Sequence, residues 1–200
     1  MDPTQIANAL GAIGLSASAG LNAWIPLFFL GLSQRFGWVD LSGNYEQLGS
    51  TPALIFLGFL LVVDLIGDKI PAIDSVLHAV GLAVAPISGA IVFGAQASLI
   101  SDTHPVVAAI LGAALGGTVH TARGLFRPAV TAGTAGVGNP VVSAVEDVLA
   151  FALAFMAIVV PVLGFLALLV MAWFVLRRWN RWRNRSAAPP PQPTKPPNLG

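Results

Sequence analysis

Charged side chains interrupt one of the most apolar stretches of this sequence, and their types and spacing indicate ion chemistry. In LLVVDLIGDKIPAID, Asp64 and Asp68 lie four residues apart and share one face of a helix. Lys69 and Asp74 follow on either side of Pro71, which has no amide hydrogen and should end or kink that helix. An ionisable group inside a bilayer costs at least ~2.5–3.5 kcal/mol and rarely faces lipid. We therefore predict that these residues form a polar site in the interior of the protein. A water-exposed helix end would explain Asp68 and Lys69, but it would not explain Asp64, which lies deeper in the apolar segment.

A second group of ionisable residues lies in HTARGLFRP. His120 and Arg123 are three residues apart and Arg127 lies one turn further on, so all three share a helical face. The arginines are natural counter-ions for the carboxylates. They would repel a metal cation, and His78 and His104 are too scattered along the chain to complete a histidine site. We therefore predict neither a metal site nor a cofactor.

A third group opens the longest apolar segment, in VGNPVVSAVED. Asn139 fits a helix N-cap and Pro140 the first helical position. Ser143, Glu146 and Asp147 would then lie in the early turns, where the helix dipole stabilises acids. The preceding glycine-rich TAGTAGV favours a loop. The dipole explains why acids are tolerated there, and a polar site shared with other segments would explain why there are two.

The first apolar segment contains a related interruption. In GLSASAGLNAWIP, Ser16, Ser18, Gly20 and Asn22 lie in mid-segment, ahead of Pro26. Discontinuous membrane helices expose backbone groups and helix ends, and many transporters bind ions or substrates there. Small residues also let membrane helices pack closely, which is the simpler explanation of the serines and the glycine.

The composition identifies the environment of these groups. The chain has 200 residues, of which 56% are hydrophobic and 10% charged, and its mean hydropathy is +0.79. A soluble domain carries about 25% charged residues, so the sequence predicts an integral membrane protein. It contains no cysteine, which excludes disulfides and thiolate chemistry.

Five segments are long and apolar enough to be membrane spans. The N-terminal one lacks a basic start and is predicted to be a retained span rather than a signal peptide. We predict an all-α, polytopic membrane helical bundle over residues 1–185, with about five spans and interrupted helices, followed by a disordered, proline-rich cytoplasmic tail over 186–200. The spans are Ile6 to Leu32, Pro52 to Pro71, Gly81 to Ile100, Pro105 to Ala122, and Val141 to Leu176 with a bend near Pro161 and Gly164.

The basic end of the chain sets the predicted orientation. Five arginines between Arg177 and Arg185 are interleaved with Trp179 and Trp182 and follow a span directly. Basic residues beside spans stay cytoplasmic, so we predict a cytoplasmic C-terminus in the cell (inner or plasma) membrane. Contact with anionic lipid is expected there, and nucleic-acid binding is not. Five spans then place the polar ends of the second, fourth and fifth on one outer side, where they would converge.

The residues in these segments carry a resemblance to a known family. GLSASAGLNAWIPLFFLGL, DLIGDKIPAIDSVLHAV, HTARGLFRP and GNPVVSAVEDVLA, in this order, resemble the small bacterial membrane proteins grouped as domain of unknown function 4126. The resemblance covers about residues 5 to 178 and implies no activity or substrate. It marks Asn22, Asp68, Lys69, Asp74, His120, Arg123, Asn139, Pro140, Ser143, Glu146 and Asp147.

The sequence favours a transporter or channel-like protein for an ion or small polar solute, and it leaves two alternatives open. One is a non-catalytic membrane scaffold, and the other an intramembrane enzyme or flippase acting on a lipid phosphate, with Asp64, Asp68 and Asp74 around a divalent metal. No catalytic residue is predicted and an enzyme is not expected. The small number of spans makes a homodimer plausible. The predicted binding site comprises Asn22, Asp64, Asp68, Lys69, Asp74, His120, Arg123, Arg127, Asn139, Ser143, Glu146 and Asp147.

Overall fold

The regular structure of the chain is helical throughout the residues that the computed structural model describes, which are 3–97, 104–134 and 137–186. The long helices of the predicted all-α membrane bundle are therefore confirmed. Within these ranges the elements are α1 (Pro3–Leu21), α2 (Trp24–Arg35), a 3-10 helix (Gly43–Gly49), α3 (Thr51–Gly67), α4 (Pro71–Ala97), α5 (Pro105–Thr134), α6 (Asn139–Val159) and α7 (Pro161–Ser186).

Helix α1 lies at the centre of the bundle and packs against α4, α5 and α6. From Gly14 to Leu21 every residue is buried, and most of them are small. Two buried hydroxyls join α1 to its neighbours: Ser16 Oγ donates to the carbonyl of Gly89 on α4 at 3.1 Å, and Ser18 Oγ to that of Ala150 on α6 at 2.7 Å. Small side chains thus allow the close packing predicted from their sequence.

Helices α4 and α5 cross with their backbones in direct contact. A methyl group at Gly89 would collide with the carbonyl oxygen of Gly112, and one at Gly112 with that of Gly89. One turn further along α5, a methyl group at Gly116 would lie 2.6 Å from the carbonyl oxygen of Ala85. Only glycine allows this approach, because any β-carbon would enter the partner's main chain.

The number of candidate spans agrees with the prediction, but their identity differs. Among the described residues, four helices are long and apolar enough to cross a membrane: 73–97 in α4, 105–134 in α5, 139–159 in α6 and 161–181 in α7. Helix α3 becomes a fifth only together with the 3-10 helix, from which it is bent by 65°. The predicted first span, residues 6–32, is instead the separate helices α1 and α2, which break at Asn22 and Ala23. Its small, hydroxyl-bearing residues face protein rather than lipid.

Three predicted boundaries need correction. The segment 141–176 is two candidate spans, divided at Val160 directly before Pro161, so the predicted bend is a complete break. Helix α5 continues through Pro128 to Thr134, so the first half of the predicted TAGTAGV loop is helical. The predicted third span reached Ile100, and its last three residues lie outside the described residues.

The chain divides into two compact units, one up to Leu168 and the other from Leu169 onward. The first contains α1 to α6 and the start of α7. The described part of the second is residues 169–186 of α7, where the Arg177 guanidinium lies 4.8 Å from the ring centroid of Trp173. The predicted boundary at 185 and the proline-rich tail remain predictions, because the tail lies outside the described residues.

Candidate functional site

Asn22 occupies the break between α1 and α2 and satisfies polar groups on both sides of it. Its side-chain oxygen accepts hydrogen bonds from the amides of Trp24 and Ile25, at 3.1 and 3.2 Å, and so satisfies the first two amides of α2. Its side-chain nitrogen donates to Asp64 on α3 at 2.8 Å and to Asp147 on α6 at 3.0 Å. One buried amide therefore joins three chain segments that are remote in sequence.

Asp68 ends α3 and is almost fully buried, with 5% of its surface exposed. One of its carboxylate oxygens accepts a hydrogen bond from Ser143 on α6 at 2.8 Å and contacts Arg123 on α5 at 3.2 Å. A buried carboxylate is tolerated only when it is paired and hydrogen-bonded. Ser143 and Arg123 meet both requirements.

The two arginines of α5 hold carboxylates from three other segments. Arg123 contacts Glu146 at 2.8 Å and donates a hydrogen bond to the carbonyl of Leu21, the last residue of α1. Arg127 contacts the same Glu146 oxygen at 3.0 Å and is paired with Asp74 at the start of α4. Glu146 is thus shared between two guanidinium groups, as the predicted counter-ion role of the arginines requires.

Lys69 lies at the edge of the cluster. Its ammonium contacts Asp147 at 3.2 Å, but its side chain is 39% exposed. Exposed ion pairs contribute little to stability, typically about 0–1 kcal/mol. Among the basic residues of the cluster, the buried arginines therefore contribute most to its stability.

Eleven of the twelve predicted site residues lie in this region, and Asn139 differs from its predicted role. Helix α6 begins at Asn139 and its cap residue is Gly138, so Asn139 is not the N-cap. It accepts a hydrogen bond from Thr131 at 3.1 Å. Glu146 and Asp147 are consequently the eighth and ninth helical residues, and the first turn of α6 contains no acid. The helix dipole therefore does not account for these two acids, because its effect fades within the first turn; the arginines, Lys69 and Asn22 hold them instead.

His120 lies against His78, a residue so distant in the sequence that their contact was not predicted. The rings of His78 on α4 and His120 on α5 stack with centroids 4.7 Å apart and 23° between their planes. The Nε2 atom of His120 lies 3.2 Å from the carbonyl oxygen of His78, whereas His78 Nδ1 is buried with no hydrogen-bond partner among the described residues. His78 lies one turn after Asp74, and this spacing was the only sequence signal for it.

A cavity of about 60 Å³ lies between the histidine pair and the acidic side of the cluster. A water molecule needs roughly 10–15 Å³ of cavity volume, so the cavity has room for several water molecules. Apolar side chains complete its wall. Its polar and charged lining consists of Asn22, Asp64, Asp68, His78, His120 and Arg123.

Three carboxylates of the cluster come close enough to suggest a cation. One oxygen each from Asp64, Asp68 and Asp147 lie within 4.8 Å of one another. Hard cations take such ligands, but Asp68 already binds Arg123 and Ser143, and Asp147 binds Lys69. Two of the three carboxylates are therefore already paired with a basic side chain, and we assign no metal site.

Fold and site together define a class: a multi-pass helical membrane protein with a buried cluster of opposite charges at its helix breaks. A family model described as Domain of unknown function (DUF4126) matches residues 9–181. The chain therefore belongs to this family, which confirms the resemblance. No curated protein and no solved structure matches the chain significantly.

Proposed function

We propose that the protein is a small transporter or channel-like protein that moves an ion or small polar solute through the charged cluster. The observation that carries this proposal is the polar cavity between Asp64, Arg123 and the histidine pair. A cluster that served only to hold helices together would need no such space, since its charges would pair directly.

The charge balance of the cluster supports the same function. Three cations face five carboxylates, which leaves two formal negative charges if every group is ionised. No ion pair within the described residues reaches Asp64, which receives a hydrogen bond from the Asn22 amide. A purely structural network would gain from complete pairing, because an unpaired buried charge is costly. Surplus carboxylates beside a polar cavity suit a cationic or proton-exchanging solute.

The two alternatives have weaker support. A scaffold accounts for the ion pairs but not for the cavity or the surplus charge. A lipid-phosphate enzyme needs a metal or a nucleophile with its base, yet Asp74 is paired with Arg127, and Ser143 donates to Asp68. Metal-dependent turnover of a phospholipid or prenyl phosphate by purified protein would favour the enzyme over the transporter.

Neutralising one carboxylate should strongly reduce flux and leave the fold intact. Asp68→Asn and Glu146→Gln each keep the side-chain shape, and both arginines retain at least one acid in either variant. We expect uptake into proteoliposomes to fall by about tenfold or more, the scale of an intramembrane charge worth ~2.5–3.5 kcal/mol. Uptake is measured over a panel of Na⁺, K⁺, Ca²⁺, phosphate and amino acids.

The matched control is Glu46→Gln, in the 3-10 helix and outside the cluster, which should transport as the unaltered protein does. Elution from size exclusion and helical circular dichroism verify the fold of each variant. The scaffold is favoured if both cluster variants misfold while the unaltered protein moves no solute in the panel.

We also propose that the protein lies in the bacterial inner membrane as a homodimer, with its C-terminus cytoplasmic and its basic end on anionic lipid. Arg177 packs against Trp173, and Arg178, Arg181 and Arg183 are exposed on the same helix. Anionic headgroups attract such residues by about 1 kcal/mol each.

Native mass spectrometry should show a species of twice the 20.7 kDa chain mass with bound phosphatidylglycerol. The double variant Arg178→Gln and Arg181→Gln should lose the lipid but keep the dimer. A monomer, or equal phosphatidylcholine binding, would contradict this.

A further inference from the structure

The histidine pair is built into the α4–α5 contact by two glycines. A methyl group at Gly81 on α4 would collide with the ring of His120 on α5. A methyl group at Gly124 on α5 would lie 2.7 Å from Nε2 of His78 on α4. Each ring therefore fills space that a glycine of the opposite helix leaves open. This reciprocal arrangement holds the rings in a stack on the cavity wall.

The surroundings of the pair contain charges of both signs. Asp64 of α3 and Asp68 at its end line the same cavity, whereas the chain from the end of α1 to the start of α2 contributes Leu21, Asn22, Ala23 and Trp24, none of which titrates in the accessible pH range. The remaining charged groups that act on the two rings are Arg123 and Arg127 of α5, Asp74 of α4 and Glu146 of α6. Both arginines are already paired with carboxylates.

We propose that His78, with its ring held in place by the stacked His120, forms a proton relay on the wall of the cavity, so that the transport proposed above is coupled to protons. The inference rests on that proposed function and names its coupling ion. A neutral imidazole can take up a proton on its free nitrogen and release it again, at a pH near neutrality. The partnerless Nδ1 of His78 accepts a proton delivered through water in the cavity and releases it from the same nitrogen to the Asp64 carboxylate on the cavity wall, so the ring returns to its starting protonation and tautomer.

Proton flux measured directly tests the relay. Unaltered protein is reconstituted into vesicles that contain a pH-sensitive dye, and an inward proton gradient is imposed with potassium and valinomycin balancing charge. We expect acidification well above that of empty vesicles. His78→Gln and His120→Gln should each slow it by about tenfold or more, because proton transfer through a positioned group contributes roughly 10²–10⁴-fold. His104→Gln is the matched control; this exposed histidine at the start of α5 accepts a hydrogen bond from Val106 and should change nothing.

A variant that keeps both histidines guards against a folding artefact. Gly81→Ala should displace the His120 ring and lower proton flux, although both imidazoles remain. Normal proton flux in all three variants would overturn the relay.

The proposed function and the relay fail differently. If the unaltered protein carries a solute from the panel but no protons, and neither glutamine variant alters that uptake, the relay is wrong while the transporter stands. If it moves neither protons nor any solute, both are wrong. Loss of proton flux in the histidine variants, with His104→Gln unaffected, supports both.

Discussion

Replacing Arg123 with methionine is expected to cost about 3–5 kcal/mol of stability, the usual penalty for removing one partner of a buried ion pair. Arg123 contacts Asp68 and Glu146 and donates to the carbonyl of Leu21, so its loss uncouples α3, α6 and the end of α1 together. Methionine keeps much of the volume, which isolates the charge. Thermal unfolding in mild detergent measures the effect.

Two further variants show whether charge is the cause. Arg35→Met removes an exposed arginine of α2 that binds Gly49 and Thr51, and it should stay within about 0.5 kcal/mol of the unaltered protein. Adding Asp68→Asn to Arg123→Met should recover part of the loss, because without Arg123 the nearest guanidinium to Asp68 is that of Arg127, at 4.0 Å. Equal melting temperatures for Arg123→Met and Arg35→Met would refute the importance of the buried pair.

The second large effect is expected at the α4–α5 crossing. Gly112→Ala should lower stability by about 1–3 kcal/mol, the usual cost of overpacking a filled interior. The added methyl group would meet the Gly89 carbonyl and lie 2.5 Å from Cβ of Phe93. The helices must separate to make room for the methyl group, because a main-chain carbonyl cannot move away by changing rotamer as a side chain can.

Gly133→Ala on the same helix is the matched control, and its expected sign is opposite. A methyl group there meets no atom of the described residues within 4 Å. Alanine favours a helix over glycine by about 0.5–1 kcal/mol, so this variant should be neutral or slightly more stable. Unfolding of the two variants side by side in detergent decides the matter. If Gly112→Ala is as stable as Gly133→Ala, the close crossing is not a source of stability.

The sequence was informative wherever placing a given amino-acid type in a membrane or in a helix has a high free-energy cost. Charges in apolar segments are expensive, and that cost led to Asp64, Asp68, Arg123 and Glu146 before any geometry was known. Proline and small residues marked the breaks near Asn22 and Pro71 for similar reasons. The apolar composition alone established the membrane class.

What the sequence could not provide is the identity of partners. Helical spacing predicts which residues share a face of one helix, but not which face meets another helix. His78 was missed because its partner is 42 residues away in the chain. The contact of Arg123 with the Leu21 carbonyl was not predicted, because every residue has a main-chain carbonyl and the residue type does not indicate which one is used. Residues 6–32 were predicted as one span, because hydropathy does not show that small residues face protein.

The α4–α5 crossing also limits how this protein can move. Sliding of one helix along another needs side chains that change rotamers and exchange neighbours. At Gly89, Gly112 and Gly116 main chain meets main chain, so no side chain at these three points can yield. We therefore expect the two helices to move together as one unit. Any alternation of access would have to arise at the hinges that the breaks at Asn22 and Asp68 provide, with α2 and α3 moving against a fixed α4–α5 pair.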